Sequence, residues 1–341
     1  MHNPSSIART RLKMSDIAAL AGVSVSTVSR ALSGSSLVPQ SVREKIEKIA
    51  RDNEYAVNHT ARNLRTQTTR TIGIVLPLGH ETGQQITDPF FMEMIGHLSQ
   101  RVIERSYDIL LTKIAAPNQG WLSNFIQSHR VDGLLILGQS DQHEVINEVS
   151  KRYLPMVVWG EQIAGQTYCS VGLDNVYSGI IATEHLIALG RTHIRFVGPS
   201  RVPETKARYL GYCQAMNEAG LKPLPLIESH FTFDFARETA RELMRSKTKF
   251  DALFCASDVI AHGALKAASE CGLNIPEDVA ICGFDDVPFA SALTPSLTTI
   301  RQDLDFASRI MVDLLFKRLA GEDAPSNTIP ARLMIRASTQ A

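Results

Sequence analysis

The chain is poor in the features that mark secreted, metal-stapled or membrane proteins. Its five cysteines, Cys169, Cys213, Cys255, Cys271 and Cys282, are odd in number and include no C-x-x-C pair. That excludes a disulfide framework and a zinc site, leaving buried, reduced thiols in a cytosolic protein. No apolar run follows the early Arg and Lys residues, and none reaches the roughly 18 residues of a membrane helix, so a soluble, unsecreted, cytoplasmic protein is expected. Enzyme signatures are missing too: there is no G-x-G-x-x-G, no Walker loop, no G-x-S-x-G elbow and no H-E-x-x-H. No enzyme, cofactor or metal is expected.

Net charge is also absent, with 35 Lys and Arg against 35 Asp and Glu, but the balance hides an asymmetry. Residues 1–70 carry eleven basic against five acidic residues, which leaves 24 against 30 for the rest. A basic head on an acidic body points the head at a polyanion. At 341 residues the chain has length for two or three domains with packed cores.

The head reads as a helix-turn-helix. Gly22 supplies a tight turn, Ile17, Ala18 and Ala21 face inward at helical spacing, and Ser24 is placed to cap a second helix whose inner face continues through Val28, Ala31 and Leu32. Its outer residues Val25, Ser26, Thr27, Ser29 and Arg30 suit DNA: small hydroxylated residues at a helix N-terminus allow close approach to phosphate or base edges, and arginine can bond guanine twice. A third helix is expected from about Gln40 to Asn53, with Arg43, Lys45 and Lys48 on a solvated face.

From Thr71 onward, short continuously apolar runs alternate with longer amphipathic stretches. The runs are 72–76, 109–111, 133–137, 156–159, 194–197, 252–255 and 279–282, and the stretches near 90–105, 176–190, 203–219 and 258–272 read as crossover helices. Strands buried on both faces of a parallel sheet have this pattern, so the body is an α/β open-sheet structure of one or two sheets.

Asp16-Ile17-Ala18, Ala21-Gly22-Val23-Ser24, Thr27-Val28-Ser29-Arg30 and Tyr55 together resemble the head of the lactose-repressor (LacI/GalR) family of bacterial transcription regulators. The resemblance extends over essentially the whole body. It implies DNA contacts from Ser24, Val25, Ser26, Thr27, Ser29 and Arg30, with Val25 and Ser26 choosing operator bases. It also implies a hinge over 58–70 in which Asn58, Ala61 and Leu64 meet DNA, Leu64 as a wedge in the minor groove. Val57 stands where the family usually has proline, and Pro39 where it often has a capping serine.

The same resemblance divides the chain into a DNA-binding head (1–57), the hinge, and a periplasmic-binding-protein-like body (71–341). The body's N-subdomain would span about 71–170 and 300–328, and its C-subdomain about 171–299 and 329–341. Ligands of open sheets lie beyond the carboxyl ends of the strands, and the family pattern falls there. Asp88-Pro89-Phe90-Phe91 is similar to the loop beneath the effector, and Arg208-Tyr209-Leu210-Gly211 to the effector arginine followed by glycine. Phe231 corresponds to an aromatic that packs on a sugar, Ala256-Ser257-Asp258 to a segment usually ending Asn-Asp, and Gly283-Phe284-Asp285-Asp286 to a loop whose first aspartate binds ligand hydroxyls. With Trp159 at a strand end, these residues form the expected effector set. His80, Glu81, Gln139, Gln142 and Glu161 are weaker polar candidates, and Asp174-Asn175 reads as a structural turn.

A carboxylate that accepts from two hydroxyls, a forked arginine and an aromatic face suit a saccharide. The expectation is a repressor of carbohydrate use, dimeric on a palindromic operator and controlled by a neutral mono- or oligosaccharide. Nothing after Arg336 resembles the leucine-heptad tail of tetrameric relatives. The alternatives are a nucleobase or sugar phosphate as effector, or a carbohydrate-active enzyme carrying a helix-turn-helix.

Overall fold

A computed structural model describes residues 12–32, 35–53, 55, 68–78, 84–114 and 117–340. The hinge residues Asn58, Ala61 and Leu64, with His80 and Glu81, lie outside the described residues. The chain divides into two units, Met1–Thr68 and Thr69–Ala341.

In the first unit, α1 (Met14–Ala21), α2 (Val25–Leu32) and α3 (Gln40–Asp52) close around Ile17, Ala18, Ala21, Val28, Ala31, Val38 and Ile46. Gly22 ends α1 at φ 69°, a left-handed conformation that glycine adopts without a Cβ clash, and this sets the tight turn into α2. The Ser24 Oγ accepts from the backbone N–H of Thr27 at 3.2 Å, which caps α2. The α3 face expected to be mostly solvated is exposed at Lys45 and Lys48 and half-buried at Arg43, and two of its cations also bond backbone. Arg43 Nη2 donates to the Ser35 carbonyl at 2.9 Å, and Lys45 Nζ donates to the Ala21 carbonyl at 3.0 Å. A carbonyl at the end of α1 and one in the loop before α3 attract these long cations back onto the head. Lys48 alone of the three stays exposed with no such bond among the described residues.

The second unit contains two sheets. The first has the order β10-β5-β4-β3-β1-β2, where β1 is Thr71–Pro77, β2 Asp108–Ile114, β3 Gly133–Leu137, β4 Met156–Trp159, β5 Cys169–Leu173 and β10 Asn327–Ile329. All its neighbours pair in parallel. The second has the order β11-β9-β8-β7-β6, with β6 Ile194–Val197, β7 Ala252–Cys255, β8 Ala280–Asp285, β9 Thr298–Gln302 and β11 Ala331–Met334. It is parallel except for the edge strand β11. The alternation of runs and amphipathic stretches thus resolves into a helix-turn-helix head and a body of two open, mostly parallel sheets.

Helices cover both faces, as continuously apolar strands require. On the first sheet, α4 (Pro89–Glu104) and α11 (Leu304–Leu319) pack on one side. On the other side, α5 (Trp121–Gln127) and α6 (His143–Ser150) bury Trp121, Leu122, Phe125, Ile146 and Val149 against Val75, Leu134, Ile136 and Val158. The second sheet carries the tightly packed pairs α7 (Asn175–Ala188) with α8 (Pro203–Glu218), and α9 (Phe233–Arg245) with α10 (Asp258–Glu270). The chain passes between the sheets three times: after β5, after β9, and between β10 and β11. The carboxyl ends of both sheets therefore contribute loops to one cleft.

Candidate functional site

The cleft holds a cavity that, counted with the solvent space at its open mouth, encloses about 680 Å³. Its wall comes from strand ends and the first turns of the helices that follow them. The first lobe supplies Pro77 and Leu78 after β1, Gln84, Asp88, Phe90 and Phe91 from the approach to α4, Leu137, Gly138 and Ser140 after β3, and Trp159 at the end of β4. The second supplies Val202, Glu204, Thr205 and Arg208 around the start of α8, Phe231, Ser257, Asp285 and Gln302.

Each polar group on this wall is held by local structure. Asp88 caps α4, its carboxylate accepting from the N–H of Phe90 at 3.0 Å and from Gln84 Nε2 at 3.0 Å. Burial pushes its carboxyl up, and those donors pull it back. Ser257 caps α10 through the N–H of Ile260 at 3.2 Å. Arg208 is buried, with Nε on Asn175 Oδ1 at 2.9 Å, Nη1 on the Ala256 carbonyl at 2.6 Å and its guanidinium carbon 3.5 Å from the centre of the Phe284 ring. A buried guanidinium needs such partners, since an unpaired charge there costs several kcal/mol.

Asp285 closes β8 at φ 117°, a strained conformation for a residue with a side chain, and Asp286 follows at φ 57°. The strain is held from both sides. Gln302 Nε2 donates to Asp285 Oδ1 at 2.6 Å, and Asp286 grips Arg301 and Arg336 at 2.6 Å each. The Asp285 carboxyl is pushed up to about 7, first by burial and further by Asp88, against the pull of Arg208 and Gln302. Phe90 and Trp159, with ring centres 6.2 Å apart, give the first lobe an aromatic floor, and Phe231 adds a half-buried ring from the second.

Eight of the nine residues expected at an effector site thus lie on one cavity wall: Asp88, Phe90, Phe91, Trp159, Arg208, Phe231, Ser257 and Asp285. Asp258 does not. Its carboxylate is fully buried behind the wall, accepting from Thr299 Oγ1 at 2.6 Å and from the N–H of Val287 at 2.9 Å, where it ties α10 to β9 and to the loop after β8. The weaker polar candidates are engaged elsewhere: Gln139 with Tyr168 and the Glu161 carbonyl, Gln142 with Trp121, and Glu161 with Asn175. The turn at Asp174-Asn175 has a second use, because Asn175 is buried and holds Arg208.

Residues that sequence reasoning missed are Gln84, Glu204, Thr205 and Gln302. The last two carry a legible signal: Gln302 ends a strand beside Asp285, and Thr205 lies on the helix of Arg208. Glu204 looks like an ordinary first-turn acid favoured by the helix dipole. In the head, Val25, Ser26 and Arg30 are exposed along α2, Ser24 sits exposed at its start, and Thr27 and Ser29 are half-buried. Ser24 Oγ, Ser26 Oγ and Thr27 Oγ1 form a hydroxyl cluster at that N-terminus, each pair 2.8 Å apart about Ser24.

A helix-turn-helix unit joined to a two-lobed ligand-binding body defines the class of regulators that couple DNA binding to a small molecule. The comparisons give the family. Residues 13–58 match the lacI family of bacterial regulatory proteins, and residues 183–339 match a periplasmic binding protein-like domain. The HTH-type transcriptional repressor CytR of Escherichia coli K12 is 32% identical over 339 residues, covering 97% of each chain. The ribose operon repressor of the same strain is 31% identical over 314 residues, covering 90% of this chain and 92% of that one. The chain belongs to the lacI family and is a DNA-binding transcription regulator. The structure of the lac repressor dimer bound to operator and the anti-inducer ONPF matches the fold with a TM-score of 0.85 at 23% identity, covering 97% of this chain and 99% of that one. The cellobiose complex of the transcriptional regulator CelR matches with a TM-score of 0.69 at 27% identity, covering 96% and 100%.

Proposed function

We propose that this protein represses a carbohydrate-use operon as a homodimer on a palindromic operator, and that an uncharged saccharide in the cleft sets its DNA affinity. It has no enzymatic role, and a repressor works where the bacterial chromosome is, in the cytoplasm. The observation that carries the reading is the chemistry of the cavity wall. Three carboxyls, Asp88, Glu204 and Asp285, share the cavity wall with one guanidinium, Arg208, and with aromatic rings. Acceptor-rich walls suit a donor-rich polyol, aromatic faces suit the C–H face of a sugar ring, and the excess of acid disfavours phosphate. The names of relatives, a ribose operon repressor and a regulator solved with cellobiose, support a sugar of one or two rings.

In this reading Ser24, Val25, Ser26, Thr27, Ser29, Arg30 and the hinge residues Asn58, Ala61 and Leu64 contact operator DNA. The head spans 1–57, the hinge 58–70 and the body 71–341, and ligand binding changes the lobe geometry that the two hinges share. Thermal-shift measurement of the purified protein against ribose, cellobiose, other neutral saccharides and their phosphates tests it. Stabilisation by a neutral sugar is the expected result, and stabilisation by phosphorylated sugars alone would overturn it.

A further inference from the structure

We propose that Glu204 is an internal plug in an anion cradle, and that this residue makes the cleft select uncharged ligands over phosphorylated or carboxylated ones. The inference rests on the reading of the cleft as an effector site and names the residue that sets the charge class.

Glu204 lies in the first turn of the 16-residue helix α8, where unpaired N–H groups and the helix dipole favour an anion. Its own backbone N–H and those of Gln139 and Glu161, which follow the ends of β3 and β4 in the opposite lobe, lie on the side of the carboxyl and favour its ionised form. Arg208, four residues on and so on the same face of α8, adds positive charge. Burial pushes the Glu204 carboxyl up, and these groups pull it back toward the ionised form. A helix N-terminus, strand-end amides and a guanidinium are the parts of a phosphate or carboxylate cradle. Here the protein's own carboxylate fills it.

Two further observations place the cradle at the ligand's side. Glu204 lines the cavity together with Thr205 and Arg208. The Thr205 hydroxyl is buried with no hydrogen-bond partner, a donor and acceptor set beside the plug and on the same cavity wall. A ligand phosphate arriving there would meet the Glu204 carboxyl in place of the amides. A neutral polyol meets only acceptors it can satisfy. Shortening residue 204 should expose the amides, Arg208 and Thr205 to an incoming anion.

The test titrates the full chain with inorganic phosphate, ribose 5-phosphate and a neutral saccharide, by calorimetry and thermal shift, for wild type, Glu204→Ser, Glu204→Ala and Glu204→Gln. Wild type should ignore both phosphates, and E204S and E204A should gain at least about tenfold in affinity for them. E204Q keeps the shape, removes the charge and preserves folding if truncation does not. It should lift the rejection of ribose 5-phosphate in part. The plug is overturned if wild type binds phosphate as tightly as the truncated variants, or if folded E204S, E204A and E204Q all reject it as wild type does. Failure of every neutral saccharide on wild type would instead sink the effector reading, while the inorganic phosphate arm still decides the role of Glu204.

Discussion

Replacing Gly211 by alanine tests the packing that holds Arg208 over the cleft. A Cβ at this position would sit 2.0 Å from the carbonyl oxygen of Val176 and 2.9 Å from the backbone nitrogen of Ile180, both on α7. These are helix backbone atoms and cannot rotate away, so α7 and α8 must part by on the order of 1 Å. The reciprocal contact is as close, since a Cβ at Gly179 would lie 2.2 Å from the carbonyl oxygen of Arg208. Overpacking costs about 1–3 kcal/mol and more where backbone must move, whereas the gain in helix propensity is about 1 kcal/mol. A net loss of about 2 kcal/mol lowers Tm by roughly 4–8 °C in a body of this size. Parting the helices also draws Arg208 away from Asn175, so ligand affinity should fall together with stability. Urea denaturation followed by circular dichroism, with ligand titration on the same preparation, measures both. A G211A protein with the wild-type midpoint and wild-type ligand affinity would refute the argument.

Ligand affinity should rise with pH through neutrality. Below about 7 the buried Asp285 holds a proton, and a sugar that donates hydroxyls to its carboxylate must displace it, so affinity should increase about tenfold from pH 6 to pH 8 with proton release. Calorimetry in buffers of different ionisation enthalpy reads both, and Asp285→Asn should flatten the profile; a wild-type profile that falls over this range contradicts the assignment. In the head, Lys45→Met should destabilise the helix-turn-helix by about 1 kcal/mol through loss of the bond to the Ala21 carbonyl. The salt dependence of operator binding should stay unchanged, whereas a slope shallower by about 0.9 would make Lys45 a phosphate contact.

How much of this was legible in the sequence follows from how each residue is buried. Strands β3, β4 and β7 are apolar along their length, and β1 and β6 are so apart from Thr71 and Arg195, because helices cover both faces, so they announce themselves. Strand β9 does not, since Thr298, Thr299 and Gln302 are polar residues satisfied by long-range bonds to Thr339, Asp258 and Asp285. The short β10 is largely exposed and the short β11 largely half-buried. In the site, Asp285, Ser257 and Arg208 follow strands and match a recognisable pattern. Gln84 becomes legible only through Asp88, and Glu204 only when β3 and β4 of the other lobe are brought to it. Asp258 shows the converse: its position beside Ser257 suggests a ligand contact, yet the helix turns its carboxylate inward to Val287 and Thr299.

The central claim is that occupancy of the cleft changes DNA affinity, and operator binding with and without ligand measures it directly. An operator selected from random duplexes by the full chain, labelled for fluorescence anisotropy, would be titrated with wild type and Asp285→Asn in the absence and presence of the sugar that stabilises the protein. A change in operator affinity of about 5–150-fold is predicted for wild type, in the range of allosteric coupling energies, with wild-type DNA affinity in D285N and a response shifted to higher sugar concentration. A sugar that binds the wild-type body and leaves its operator affinity unchanged would contradict the account.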